Sequence, residues 1–210
     1  MRIWIICSGE SSAPVPRRCG AGEYAALCEK RLCLTAPAGQ GHVVEANGRK
    51  LYISPRGAAH GTAALLVSGA RAVCEPLLDE IPPALPRKEK SRALWLWDFQ
   101  SRLRWSHGGK RVPESRKESR ARADALLDRL EREGEDCILI SHPRFISVLC
   151  DRLRVRGYCA QRTGFGRVRP FEQMLLSRRD EHCGGCQHNC LLSNPGCNIG
   201  RDKAARAGVS

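Results

Sequence analysis

At 210 residues the chain fits one domain with an appendage better than two full domains. Its 42% hydrophobic content and mean hydropathy of -0.38 describe an ordinary globular protein able to bury a real core. No run approaches about 18 consecutive apolar residues, so a membrane-spanning helix is excluded and no membrane partner is expected.

Met1-Arg2-Ile3-Trp4-Ile5-Ile6-Cys7 is too short for a signal-peptide core and has no cleavage site, so it reads as a first strand of a cytoplasmic protein. A loop rich in Ser, Pro, Gly and Arg follows over residues 8–22, then a short helix near 23–30. Residues 50–54 form a second strand broken at Pro55, and the small apolar residues of 57–68 suit a helix packed closely on a sheet. A strand near 72–74 leads into Glu75-Pro76-Leu77-Leu78-Asp79-Glu80, and residues 82–92 make an exposed loop. Trp95, Trp97, Phe99 and Trp105 then lie close together, as in a helix or lid covering the core.

The clearest helix runs over about 114–133, where Ala123, Leu126, Leu127 and Leu130 share one face. Residues 136–141 are an apolar strand, Pro143 opens an amphipathic helix, and a last strand is expected around 171–177. Strands alternating with helices argue for an α/β domain with a mostly parallel sheet, in three α/β/α layers over residues 1–179.

The formal charge of +13 is uneven: residues 87–122 hold twelve Lys/Arg against four Asp/Glu. Such a surface suits phosphorylated small molecules, nucleic acid or acidic membranes, and charge alone does not choose among them. No recognition-helix spacing supports nucleic acid, which is therefore not the expected partner.

Ordered landmarks resemble the histidine phosphatase (phosphoglycerate-mutase-like) superfamily. Where that family opens with a strand ending in Arg-His-Gly-Glu, this chain has Cys7-Ser8-Gly9-Glu10. The family's Ser-Pro-x-x-Arg-Ala element is matched by Ser54-Pro55-Arg56-Gly57-Ala58-Ala59, and its Leu-x-Glu by Leu78-Asp79-Glu80. Glu114-Ser115, Glu118 and Arg122 match a helix-opening motif, and Ser141-His142-Pro143 stands where Ser-His-Gly is usual.

The resemblance implies a phosphohistidine mechanism with the first histidine as nucleophile. Two arginines and a second histidine surround the phosphoryl oxygens, and an acid protonates the leaving group. Positioned cations matter because a transferring phosphoryl group offers the protein little other chemistry. In this sequence the nucleophile position is Ser8, and the two arginine positions are Cys7 and Ala58. The second histidine, His142, and the acid, Glu80, remain.

The implied catalytic positions are therefore Ser8, Glu80 and His142, with Cys7, Gly9, Ala58 and His142 around a phosphate-sized pocket. Arg56 and His60 flank the missing arginine but point away from it on a helix. A catalytically impaired, binding or regulatory protein for a phosphorylated small molecule or a protein is expected. A rearranged phosphomonoesterase using Ser8 or Cys7 with His142 and Glu80 is the alternative.

The remaining signal is local. Cys183, Cys186, Cys190 and Cys197 are spaced C-x2-C-x3-C-x6-C, with His182 and His188 nearby. Four thiolates in a Gly- and Pro-containing segment of residues 180–200 can close a tetrahedral shell, which suits zinc or, alternatively, an iron–sulfur cluster. A free or disulfide-bonded tail is the third reading. No cofactor is expected in the α/β domain, and residues 201–210 are expected to be disordered.

Overall fold

The computed structural model describes residues 1–9, 15–33, 42–85, 91–108, 112–162 and 168–178. Its centre is a six-stranded sheet in the order β6-β4-β8-β1-β10-β9. Strands β1 (Arg2–Cys7), β4 (Lys50–Ile53), β6 (Ala72–Cys74) and β8 (Cys137–Ser141) run parallel. β10 (Gln173–Arg178) lies antiparallel to β1 and carries β9 (Tyr158–Arg162) at the edge. The α/β reading with a mostly parallel sheet is thus correct.

Side chains alternate across these strands, so each feeds two cores. Ile3, Ile5 and Leu139 face one side and pack with Leu126, Leu127 and Leu130 of α4 (Arg116–Glu133) and Phe145, Leu149 and Leu153 of α5 (Pro143–Val155). Ile6, Ile53, Ile138 and Ile140 face the other and meet Ala59, Ala63 and Leu66 of α2 (Gly57–Leu66). β8 is buried along its whole length, as expected of a parallel strand covered on both faces.

Small residues let α2 lie close to its neighbours. Gly57 abuts the carbonyl of Cys33, the last residue of α1 (Ala21–Cys33), and any Cβ there would collide with it. A third cluster joins Cys19, Ala21 and Tyr24 to Trp97 of α3 (Leu94–His107). Trp97 is fully buried and donates its indole N–H to the Cys19 carbonyl at 2.8 Å. The tryptophan-rich segment is therefore a helix held by Trp97 and by Trp105, which packs on the main core and donates its indole N–H to Ser119 Oγ at 3.0 Å.

The motif at the start of α4 has a direct physical reading. Ser115 is its N-cap, and Ser115 and Glu118 form a reciprocal capping box that satisfies two orphan amides of the first turn. Glu114 and Arg122 form an ion pair at 2.9 Å, with each side chain less than a fifth exposed. Arg122 also donates to the carbonyls of Leu77 and Asp79, at 3.0 and 2.7 Å, which ties α4 to the loop after β6.

Three paired pieces lay outside the sequence reading. β2 (Arg18–Cys19) pairs with β7 (Arg92–Ala93), and β3 (Val44–Glu45) with β5 (Val67–Ser68). These are two-residue ladders, too short for a period-2 pattern to register. β9 was also unexpected, because Tyr158-Cys159-Ala160-Gln161-Arg162 does not alternate apolar and polar residues as a half-buried strand should.

Candidate functional site

The carboxyl ends of parallel strands are where α/β sheets usually place ligands. At this edge the adjacent strands β4, β8 and β1 end in Ser54, His142 and Ser8. Backbone bonds fix the three positions, Ser8 N–H donating to the Ser141 carbonyl at 2.8 Å and Ser54 N–H to the Ile140 carbonyl at 3.0 Å. Parallel register thus brings together side chains separated by more than 40 residues of sequence.

The three side chains form a hydroxyl–imidazole–hydroxyl chain. Ser8 Oγ lies 2.7 Å from His142 Nδ1, and Ser54 Oγ lies 3.0 Å from Nε2. All three residues are at most 2% exposed. Burial pulls the His142 pKa down to about 4, with Asp79 opposing the shift and Arg56 adding to it. The ring is therefore neutral at pH 7, with one nitrogen a donor and the other an acceptor.

In the sequence Ser54 stands out only as the first residue of the Ser54-Pro55 motif. Its role could have been found by asking what would satisfy the second nitrogen of a buried histidine, since buried polar atoms almost always find partners.

Around this chain the remaining expected residues are placed as follows. Cys7 and Ala58 are at most 1% exposed, and Gly9 is buried. Gly9 N–H donates to Thr62 Oγ1 at 2.9 Å, and the Thr62 hydroxyl donates to the Ala58 carbonyl at 2.8 Å. The end of β1 is thereby bound to the first turns of α2, with no charge at either arginine position. Thr62 thus links Gly9 to Ala58, while Cys7 belongs to the core on the α4–α5 side of the sheet.

Glu80 lies at the N-terminus of α5, and its carboxylate is committed to backbone. It accepts from the N–H groups of Phe145 at 2.9 Å, Arg144 at 3.2 Å and Ile81 at 2.8 Å. His142, the N-cap of α5, makes no side-chain cap of its own, so Glu80 supplies that function from the neighbouring loop. Burial raises the Glu80 pKa, while those backbone donors and the charge of Arg144 oppose the rise.

Two guanidinium groups sit close by in sequence, and carboxylates engage both. Arg56 binds Asp79 in a two-pronged pair at 2.7 and 3.0 Å and reaches Glu29 at 2.8 Å. Arg144 reaches Asp98, Tyr24 and Ser101, each at 3.2 Å, and Tyr24 also donates to Asp98. Burial and the Asp98 hydrogen bond raise the Tyr24 pKa. His60 is exposed on α2. The Tyr24–Asp98–Arg144 cluster joins α1, α3 and α5 and left no local signal, because its members are spread over more than 100 residues.

Chemically, the Ser8–His142 contact has the distance of a nucleophile and its base. The other features of such a site differ. The imidazole has a serine where a carboxylate would stabilise the imidazolium, and its basicity is depressed. Among the described residues no three His, Cys, Asp or Glu side chains are grouped as metal ligands. The expected ligands Cys183, Cys186, Cys190 and Cys197 lie outside the described residues.

No family model matches this chain, and no curated protein matches it either.

Proposed function

We propose that this chain is a histidine-phosphatase-like domain that has given up phosphoryl transfer and acts as a binding or regulatory protein. The resemblance of its five sequence landmarks supports this reading. So does their spatial convergence, since four of them meet at the carboxyl edge of one sheet, around Ser8, Ser54, Asp79, Glu80 and His142.

The observation that carries the proposal is the neutral Ser8–His142–Ser54 chain itself. Phosphoryl transfer is accelerated by cations aimed at the equatorial oxygens, and losing one such donor typically costs about 100- to 1,000-fold in rate. Here Cys7 and Ala58 occupy the two cation positions, while Arg56 and Arg144 are neutralised by Asp79 and Asp98. Ser8 in place of histidine also removes the nitrogen that would carry the phosphoryl group.

One observation favours the rival reading, a serine-based phosphomonoesterase: the 2.7 Å contact of Ser8 with His142. The two readings separate in an assay of the full chain on an aryl phosphate across pH 5–9. Our reading predicts turnover indistinguishable from buffer, unchanged in Ser8→Ala and His142→Ala. Turnover that disappears in both variants would establish the rival.

A further inference from the structure

We propose that the outer face of α3 is a docking surface for anionic lipid bilayers. Trp95, Phe99 and Leu103 are 69%, 57% and 47% exposed, and they recur every four residues along this helix. With a rise of about 1.5 Å per residue they form one outward stripe roughly 12 Å long. Among the described residues Trp95 and Phe99 are the exposed large aromatics, so the two fall on the same stripe. The opposite face anchors the helix through fully buried Trp97 and Ser101.

Charge argues for the occupant. Asp98 is the sole acid of α3, and Arg144 and Tyr24 bind it. Arg102 is exposed beside the stripe, and Arg17 and Arg18 are exposed next to the start of the helix. That position is fixed by the β2–β7 ladder and by Leu94 N–H donating to the Arg17 carbonyl at 3.2 Å. The whole chain carries +13, so a second copy would be repelled and an anionic surface attracted.

Size and shape favour lipid over a protein or nucleic acid. Three side chains on a convex helix face fall well short of the roughly 800 Å² per partner that a stable protein interface buries. Leucine gives a single-stranded nucleic acid nothing to stack on. Tryptophan and phenylalanine with leucine, flanked by arginine, match the composition of helices lying in a bilayer interface. No described helix is long and apolar enough to cross a membrane, and a helix that lies on one needs no such length.

The test is co-sedimentation of the full chain with phosphatidylcholine vesicles, with and without phosphatidylglycerol. Binding is expected on the mixed vesicles alone and should weaken at high salt. It should fall about tenfold or more in Trp95→Ala/Phe99→Ala, since interfacial affinity scales with buried apolar area. Val155→Ala, which removes another exposed apolar side chain on α5, should bind as the parent does. Circular dichroism checks that both variants are folded. No binding to mixed vesicles overturns the proposal, as does equal binding by the double variant or an equal loss in Val155→Ala. Capture of an acidic polypeptide or RNA without vesicle binding also overturns it.

Discussion

Arg122→Ala is expected to lower the stability of the fold by about 3 kcal/mol, which urea unfolding would measure as a lower midpoint with an unchanged slope. Removing one partner from a fully buried ion pair costs about 3–5 kcal/mol, and the slight exposure of this pair reduces that. Three groups lose a donor at once: the Glu114 carboxylate and the carbonyls of Leu77 and Asp79. The guanidinium also lies over the Phe145 ring, 4.1 Å from its centre, so packing on α5 is lost as well.

The double variant Glu114→Ala/Arg122→Ala should recover part of the loss, because no carboxylate is then left buried alone. Equal losses in the single and double variants would mean that the bonds to the loop carbonyls, not the ion pair, dominate.

The second large effect depends on pH. Burial holds the His142 pKa near 4, below its ordinary 6.5. The unfolded chain therefore binds more protons in this window, and stability rises with pH across it. The contribution is fully present above about pH 7 and is lost as pH falls towards 4. A depression of this size corresponds to about 3 kcal/mol.

His142→Asn should remove that slope while keeping a polar group between the two serines. Carboxylates also titrate at the acid end, so the informative quantity is the difference between parent and variant at each pH. An identical pH dependence in the two proteins would mean that the ring is not buried as a neutral group.

Much of the frame was legible because it rests on local patterns. The apolar runs of β1 and β8 and the four-residue spacing along α4 each encode their own burial. The Ser115–Glu118 capping box even marks its helix start in four letters of sequence. The candidate site was legible only in outline. Ser8 and His142 were singled out by position within a resemblance, whereas their 2.7 Å contact depends on β1 and β8 pairing in a particular register.

What Glu80 does was not legible. A carboxylate 64 and 65 residues ahead of the amides it binds gives no sequence sign that it will cap their helix. The same holds for Asp79 and Arg56, and for Arg144 with Asp98. Their pairing neutralises the two guanidinium groups that lie within two residues of Ser54 and His142 in sequence. The exposure of Trp95 beside the complete burial of Trp97 follows from which face of α3 meets α1, a tertiary fact.

The central claim is a buried, neutral imidazole held between two hydroxyls, and histidine-selective ¹⁵N NMR tests it most directly. His142→Asn identifies the signal among the six histidines. The account predicts a ring that stays neutral down to about pH 4–5 and does not respond to added inorganic phosphate. A midpoint at about 6.5 or above, or one that rises when phosphate is added, would contradict it and reveal an open anion-binding site.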